Sequence, residues 1–590
     1  MVARGVEQLT QQQRDALAWQ GNLLLTACPG SGKTRTLIAK LVAEVEKVRD
    51  TPKSICCITY TNTAVQEIEL RTAEQLGPGD DRHFSVSTIH AFCLHEILRP
   101  YGWLRPGFKR ATTILTRESP DFELIAQHAA AQVNYFQLTQ SDYEAFESLS
   151  LDPRGNLVGL AAENVAIARA APFFWQRCAE LDYIDFGTII YGAYCLLRDH
   201  PKIAATLCAK YAWFLIDEFQ DTTELQVEIL KLLHATDRSR FFAVGDLAQC
   251  IYSFTGAKPE LVEPFGRDIG AKMDLTLSGN FRSSPKIIAH AERLFPRTPP
   301  MTAEGPEKVC VIEPVLVRTL SNFHAITERF LPMLEEQAIP LGEATILAKD
   351  WASLISLSRQ LREFGVPVVG PGARPYRRSR LFASLAEQLC GAVTDPTPES
   401  NRQLERALFH AVRDATGIAR MDLFSPSGRV VFIRLMHEAK RLAAPGGAIH
   451  FLDNMSRATG QILKDAEFVD DVQAGLFYAS VQEMKVDMQR QQIDIANLSV
   501  LDLGLFASPD KALRLSTIHY AKGREYGAVA MIGVKQGRFP HIRSDDVEAE
   551  KRQFYVGVTR ARRLLMYISE PDRWANPPSP FLGPQGVNIL

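Results

Sequence analysis

Apolar and polar positions along the chain follow two alternating regimes. Residues 11–20 carry a helical pattern, and an apolar run over 22–27 follows and enters a Gly-rich turn. A helix is predicted from about Lys33 through Leu37 and Leu41, then a strand over 54–59, a turn at Asn62 and a helix from Thr63. Short apolar runs alternating with helical patterns predict a parallel sheet covered by helices. From about Cys93 to Glu180 the pattern is mostly helical, with RPYGWLRPG (99–107) as a loop. Strands return over 212–216 and 241–244. A Pro- and Gly-rich stretch, 295–305, leads into a second set. There ATILAK and VPVVG read as strands around a helix over 351–364. A second mostly helical region, 381–506, has DPTPES and APGGA as loops, and strands return near 513–517 and 529–533. The pattern predicts an α/β chain of two sheet domains, each split by a helical insertion. It shows no repeats, low-complexity tracts or heptads.

A length of 590 residues suits three to five domains, and 46% hydrophobic with 23% charged residues is ordinary for a folded soluble chain. The formal net charge of -2 excludes a wholly basic surface, so any nucleic-acid contact must use a local groove. None of the ten cysteines forms a C-x-x-C pair, which argues against zinc or iron–sulfur sites and for buried free thiols in a reducing compartment. The N-terminus shows no apolar leader, and no run of eighteen apolar residues occurs; the longest candidate, 183–197, is interrupted by Asp185. A cytoplasmic protein without a membrane partner is expected.

The segment Ala27-Cys28-Pro29-Gly30-Ser31-Gly32-Lys33-Thr34 matches the phosphate-binding loop, with Ala27 in place of the first glycine. Small residues let backbone N–H groups wrap phosphates, and the following helix points its positive end at them. Lys33 would reach the β- and γ-phosphates, and Thr34 would supply a ligand to Mg2+. The apolar strand 214–216 ends in Asp217-Glu218, followed by FQDTTELQ. Asp217 would hold Mg2+, and Glu218 would polarise the attacking water, the two roles a nucleotide hydrolase needs.

With these residues the chain resembles the UvrD/Rep/PcrA family of superfamily 1 helicases. The resemblance spans nearly the whole chain through motifs in family order: LTQQQRDAL, TYTNTAVQEI, STIHAFC, DEFQDTTELQ, VGDLAQCIYSFTGA, SGNFRSSPKII, STIHYAKGREY and VGVTRAR. It implies two RecA-like P-loop domains: 1–92 with 182–279, and 280–385 with 510–590. Helical insertions would occupy 93–181 and, in reduced form, 386–509. It assigns adenine reading to Gln13, with Arg35 and Phe281 holding the adenine and Glu525 approaching the ribose or phosphates. Gln249 would sense the γ-phosphate. Arg282 and Arg560 would stabilise transition-state charge when ATP draws the domains together. Tyr60, Tyr252 and Phe254 are the implied base-stacking residues, and Thr61, Asn62 and His90 the implied backbone contacts. Tyr252 suits a core position equally well, and His519 suits a purely structural one. The implied activity is ATP-driven 3′→5′ movement on single-stranded DNA with strand separation at a tailed duplex.

Three departures stand out. Phe254-Thr255 replaces the usual Trp-Arg, Arg524 and Tyr526 replace Leu and Phe, and the second insertion is short. The short insertion and the ACPGSGKT loop also resemble helicase-like subunits of antiphage systems such as Gabija. That opens an alternative: an ATP-dependent DNA-end sensor that activates a partner nuclease. Arg374, Arg377, Arg378 and Arg380 form a basic cluster suited to a solvated loop or to phosphate contact.

Overall fold

The computed structural model describes residues 9–77, 79–105, 113–117, 119–417, 425–491, 498–570, 576–583 and 587–589. The first eight residues of the stretch read for an apolar leader, the end of the 99–107 loop and the side chain of Phe254 lie outside the described residues. Packing divides the chain into two units. One is the chain up to Cys310 with Asp545–Thr559; the other is Val311–Ser544 with Arg560 onward.

In the first unit, helix α1 (Gln11–Ala18) precedes strand β1 (Leu23–Ala27), helix α2 (Lys33–Val48), strand β2 (Ser54–Thr59), helix α3 (Asn62–Ala73) and strand β3 (Phe84–Thr88). After the first insertion come α4 (Phe186–Asp199), α5 (Pro201–Lys210), β4 (Tyr211–Ile216), α6 (Glu224–His234), β5 (Arg240–Gly245), β6 (Thr276–Leu277) and α7 (Pro285–Leu294). The six strands form one parallel sheet in the order β6-β1-β5-β4-β2-β3. Alternation within each strand feeds two cores. Leu24, Cys56, Ile58, Phe214, Ile216 and Phe241 pack on one face; Leu23, Leu25, Ile55, Cys57, Leu215 and Phe242 pack on the other. A sheet buried on both faces needs such continuous apolar strands, and this is why the runs predict a parallel sheet.

Side-chain caps fix where the helices begin. Thr10 forms a capping box with Gln13, Thr61 caps α3, Asp185 caps α4 with Thr188, and Thr223 caps α6 with Gln226. Each satisfies backbone N–H groups that a helix start leaves open. The Asp185 that interrupts the longest apolar run is thus the start of α4, preceded by the short strand Tyr183–Ile184. Among the described residues no helix is long and apolar enough to cross a membrane. The first insertion packs around Phe122, Phe146 and Phe174, and it includes two short strand pairs, 113–114 with 183–184 and 150–151 with 157–158, that its helical pattern hides.

The second unit holds a seven-stranded parallel sheet. Its strands are β7 (Val315–Arg318), β8 (Ala344–Ala348), β9 (Val368–Val369), β10 (Leu513–Thr517), β11 (Tyr526–Ile532), β12 (Ala561–Ser569) and β13 (Asn588–Ile589). They lie in the order β9-β10-β8-β11-β12-β7-β13. Helix α8 (Ala352–Glu363) follows β8 and packs Leu354, Leu357 and Leu361 on the sheet. The second insertion is a helical bundle with its own core, including Leu385, Phe451, Phe477 and Met484. Helix α9 (Val547–Val558) packs in the first unit, so the chain returns to the second between Thr559 and Arg560.

By packing, the second unit starts at Val311. The reason is local: Phe281 N–H donates to Gly30 O at 2.8 Å, and strand residues 279–280 pair with 302–303. In the arginine loop Arg377 and Arg378 are exposed, while Arg374 and Arg380 are paired. Arg374 forms a two-point pair with Glu387, and Arg380 pairs with Asp487 and Glu483, stapling the segment to the bundle. The cysteines follow expectation: nine are buried free thiols, with Cys310 partly exposed.

His290 on α7 is almost fully buried, and burial, aided by the charge of Arg293, lowers its pKa to about 4 from 6.5. Below about pH 6.5 the unfolded chain binds a proton that the native state refuses, so stability is lost as pH falls toward 4. The melting temperature of the intact chain is therefore expected to drop by on the order of a few degrees between pH 7 and pH 5 through this group. His290→Asn should flatten that part of the profile in a pH series of thermal melts. An unchanged slope in the variant would contradict the assignment.

Candidate nucleotide and nucleic-acid site

Every strand of the first sheet that ends in a motif ends at the same edge. β1 runs into the phosphate loop, β5 into Asp246, β4 into Asp217 and Glu218, β2 into Tyr60, and β3 into Ile89 and His90. In open parallel sheets this carboxyl edge is where ligands bind.

The phosphate loop is shaped by two glycines, Gly30 and Gly32, at φ of 68° and 78°. A Cβ at Gly30 would lie 2.6 Å from the Arg282 Cβ, and one at Gly32 would lie 2.9 Å from the Gln13 amide. Gly32, the cap residue of α2, has no side chain to bond the first N–H groups of the helix, a start that suits an anion. The Ser31 hydroxyl is buried without a hydrogen-bond partner. Backbone N–H groups, an orphaned hydroxyl and Lys33 at the helix start together suit a polyphosphate. Cys28 and Pro29 complete the turn; Cys28 N–H donates to Leu277 O, and burial pushes its thiol up to about 12, so it stays protonated.

Gln13 braces this loop. Its Nε2 donates to Ser31 O at 3.0 Å, and its Oε1 accepts from Thr10 N–H at 3.0 Å. Arg35 and Phe281 are both exposed, and Phe281 is tied to Gly30 through its backbone. Arg282 is anchored in the same turn: Asn280 Oδ1 accepts from the N–H groups of Arg282 and Ser283, both at 2.8 Å. The guanidinium of Arg282 donates to Thr559 O at 3.2 Å.

Asp217 is buried; Thr34 Oγ1 donates to its Oδ2 at 3.4 Å, and Glu218 N–H donates to its Oδ1 at 3.0 Å. Burial raises the Asp217 pKa, the charge of Glu218 raises it further, and Lys33 opposes both. Glu218 sits in the left-handed region at φ 51°, which turns its side chain out of the strand direction, and Gln220 Nε2 donates to its carboxylate. Among the described residues no group of three or more His, Cys, Asp or Glu forms a metal cage. One carboxylate and one hydroxyl suit Mg2+, which takes few protein oxygens and completes its shell from phosphates and water.

Sequence reasoning assigned no role to two buried residues here. Gln220 Oε1 accepts from Asp246 N–H at 2.9 Å, and Asp246 Oδ2 accepts from Gln249 Nε2 at 2.7 Å. Gln249 is thus held by a carboxylate whose only sequence signal is its place in VGDLAQ.

Tyr60, just past β2, and Tyr252, in the segment after β5, stack on each other, centroids 5.2 Å apart and 20° between planes. Both are half-buried, and burial pushes the Tyr60 hydroxyl up to about 12. Thr61 and Asn62 are exposed at the start of α3, where Thr61 Oγ1 accepts from Ala64 N–H. His90 packs edge-on against Phe186 at 5.1 Å, and burial lowers its pKa to about 4. In the second unit, Arg560 is buried at the start of β12 and donates to Arg524 O at 3.1 Å, while Glu525 is exposed just before β11.

Comparison with known proteins agrees with this geometry. The model of the UvrD/REP helicase N-terminal domain matches residues 9–270, and that of the UvrD-like helicase C-terminal domain matches 475–571. The ATP-dependent DNA helicase UvrD1 of Mycobacterium tuberculosis is 24% identical, covering 98% of this chain and 84% of its own. The ATP-dependent DNA helicase PcrA of Leuconostoc citreum is 26% identical over 97% and 84%. The ATP-dependent DNA helicase Rep of Escherichia coli is 23% identical over 94% and 89%. With the phosphate loop, the acidic pair and two RecA-like parallel sheets in place, this chain belongs to the UvrD-like helicase family.

Proposed function

We propose that this chain is a DNA-dependent ATPase and helicase that moves along single-stranded DNA and separates strands at tailed duplexes. The observation that carries this is the adjacency of β4 and β2. The acidic pair that ends β4 and the aromatic pair that begins at the end of β2 stand side by side on one sheet edge. Relatives named as ATP-dependent DNA helicases, aligned over most of both chains, support the same reading. The 3′→5′ direction is inferred from the family resemblance.

In this reading Lys33, Ser31 and the first N–H groups of α2 bind the β- and γ-phosphates of ATP, and Arg35 and Phe281 hold the adenine. Gln13 keeps the loop in shape through Ser31. Thr34 and Asp217 would hold Mg2+, which would offset phosphate charge when bound. Glu218 orients and deprotonates the attacking water. Gln249 and Arg282 stabilise the charge that grows on the γ-phosphate. Arg560 is assigned the same task, and Glu525 a contact to the ribose or phosphates. Tyr60 and Tyr252 offer faces that take any base, so the grip carries no sequence requirement. Thr61, Asn62 and His90 are the proposed contacts to the DNA backbone, and Phe254 a further stacking residue.

Two outcomes test this. With ATP, the purified chain should unwind a duplex carrying a 3′ single-stranded tail and leave a 5′-tailed duplex intact, and Glu218→Gln should bind ATP yet unwind neither. Preference for the 5′ tail would refute the direction, and an active Glu218→Gln would refute the assignment of the acid. Tyr60→Ala should weaken single-stranded DNA binding by about 5- to 100-fold, from stacking worth ~1–3 kcal/mol per base, while basal ATP hydrolysis stays near wild type. Equal loss of both, measured by anisotropy and steady-state hydrolysis, would make Tyr60 a structural residue.

A further inference from the structure

Arg297 lies between α7 and the end of the first unit, in a Pro-rich segment that no motif includes. One guanidinium there meets three separate parts of that unit. Nη1 donates to Ala27 O at 3.2 Å, at the end of β1 where the phosphate loop begins. Nη2 donates to Asp246 Oδ1 at 2.5 Å and to Tyr555 Oη on α9 at 2.9 Å. The side chain of Asp246 is 0% exposed and that of Arg297 13%.

Asp246 is the hub of the groups assigned above to the γ-phosphate and the attacking water. Its Oδ1 also accepts from Ala248 N–H at 3.1 Å, and its Oδ2 takes Gln249 Nε2 at 2.7 Å. Its own N–H donates to Gln220 Oε1, and Gln220 donates in turn to Glu218. An ionised carboxylate only accepts, so it fixes which end of the Gln249 amide points toward it. Such an anion, buried in the unit that must receive a polyphosphate, needs a fixed counter-charge. Arg297 supplies it and at the same time joins the root of the phosphate loop to α9. The last turn of α9 is held a second time, by Arg282 on Thr559 O.

We infer that Arg297 is a positioning residue for ATP hydrolysis: it holds Asp246 in place as an acceptor and thereby orients Gln249 directly and Glu218 through Gln220. The inference rests on the ATPase reading above. A planar fork with donors to three partners does this; a lysine keeps the charge but not the geometry. Because Gln249 and Glu218 act on charge that develops during the reaction, misorientation slows turnover more than it weakens ATP binding.

The test is steady-state ATP hydrolysis by the full chain with saturating single-stranded DNA, for wild type, Arg297→Met, Arg297→Lys and Arg297→Met with Asp246→Asn. Both single variants are expected to lower kcat by about 10- to 100-fold. KM for ATP should stay within about threefold, and a non-hydrolysable ATP analogue should still raise the melting temperature. Adding Asp246→Asn to Arg297→Met should cost little more, because the two residues act as one unit. An unchanged kcat in a folded variant overturns the inference. So does a parallel loss of kcat, analogue binding and melting temperature, which would mark a scaffold residue. If Arg297→Met fails to fold, Arg297→Lys carries the same comparison with the same two outcomes. A wild-type chain that hydrolyses no ATP overturns the underlying reading and this inference with it, whereas an active wild type beside an unaffected variant overturns this inference alone.

Discussion

Asp217 N–H donates to Ile58 O at 2.9 Å, the last rung of the parallel ladder between β4 and β2. That rung sets the register at which two kinds of chemistry meet. One residue beyond it on β4 is Glu218, and two beyond Ile58 on β2 is Tyr60. A parallel sheet delivers all its strand ends to one edge, and a slip of one residue would turn each side chain to the opposite face. The register is in turn held by the two cores, which take alternate residues of the same strands. Under the proposed function, one arrangement sets both fold stability and the coupling between ATP and nucleic acid.

The edge is electrostatically costly. Asp217 and Asp246 are buried, and Glu218 stands beside the first of them. Leaving a buried charge without its partner costs about 3–5 kcal/mol, so each needs a counter-group. Lys33 and a hydrogen bond from Thr34 answer Asp217, Arg297 answers Asp246, and Gln220 donates to Glu218. Burial and the neighbouring Glu218 raise the Asp217 pKa, and Lys33 opposes them.

The sequence made the parallel sheets, the phosphate loop and the acidic pair legible because each leaves a contiguous signature: an apolar run, a Gly-rich turn, adjacent acids at a strand end. What it hid was long-range. The strand at Ala561–Ser569 is a plain apolar run, yet it follows an arginine motif that draws attention to its own chemistry. The chain from 280 to 310 sits where linker composition suggests a boundary, but a backbone hydrogen bond from Phe281 to Gly30 ties it to the phosphate loop. The arginines near 374–380 suit a solvated loop or a phosphate patch in sequence; the fold brings Glu387, Glu483 and Asp487, about a hundred residues away in two of the three cases, beside Arg374 and Arg380. Arg297 has no local pattern at all; only the fold shows what it touches.

The most direct measurement is the rate of ATP hydrolysis by the intact chain as single-stranded DNA is titrated in, with blunt duplex as control. If the acids and the aromatic pair are coupled through the shared sheet edge, single-stranded DNA should accelerate hydrolysis by on the order of tenfold or more, equivalent to about 1.4 kcal/mol of barrier, and blunt duplex should do far less. Hydrolysis that proceeds at the same rate with and without single-stranded DNA would contradict the coupling on which the account depends.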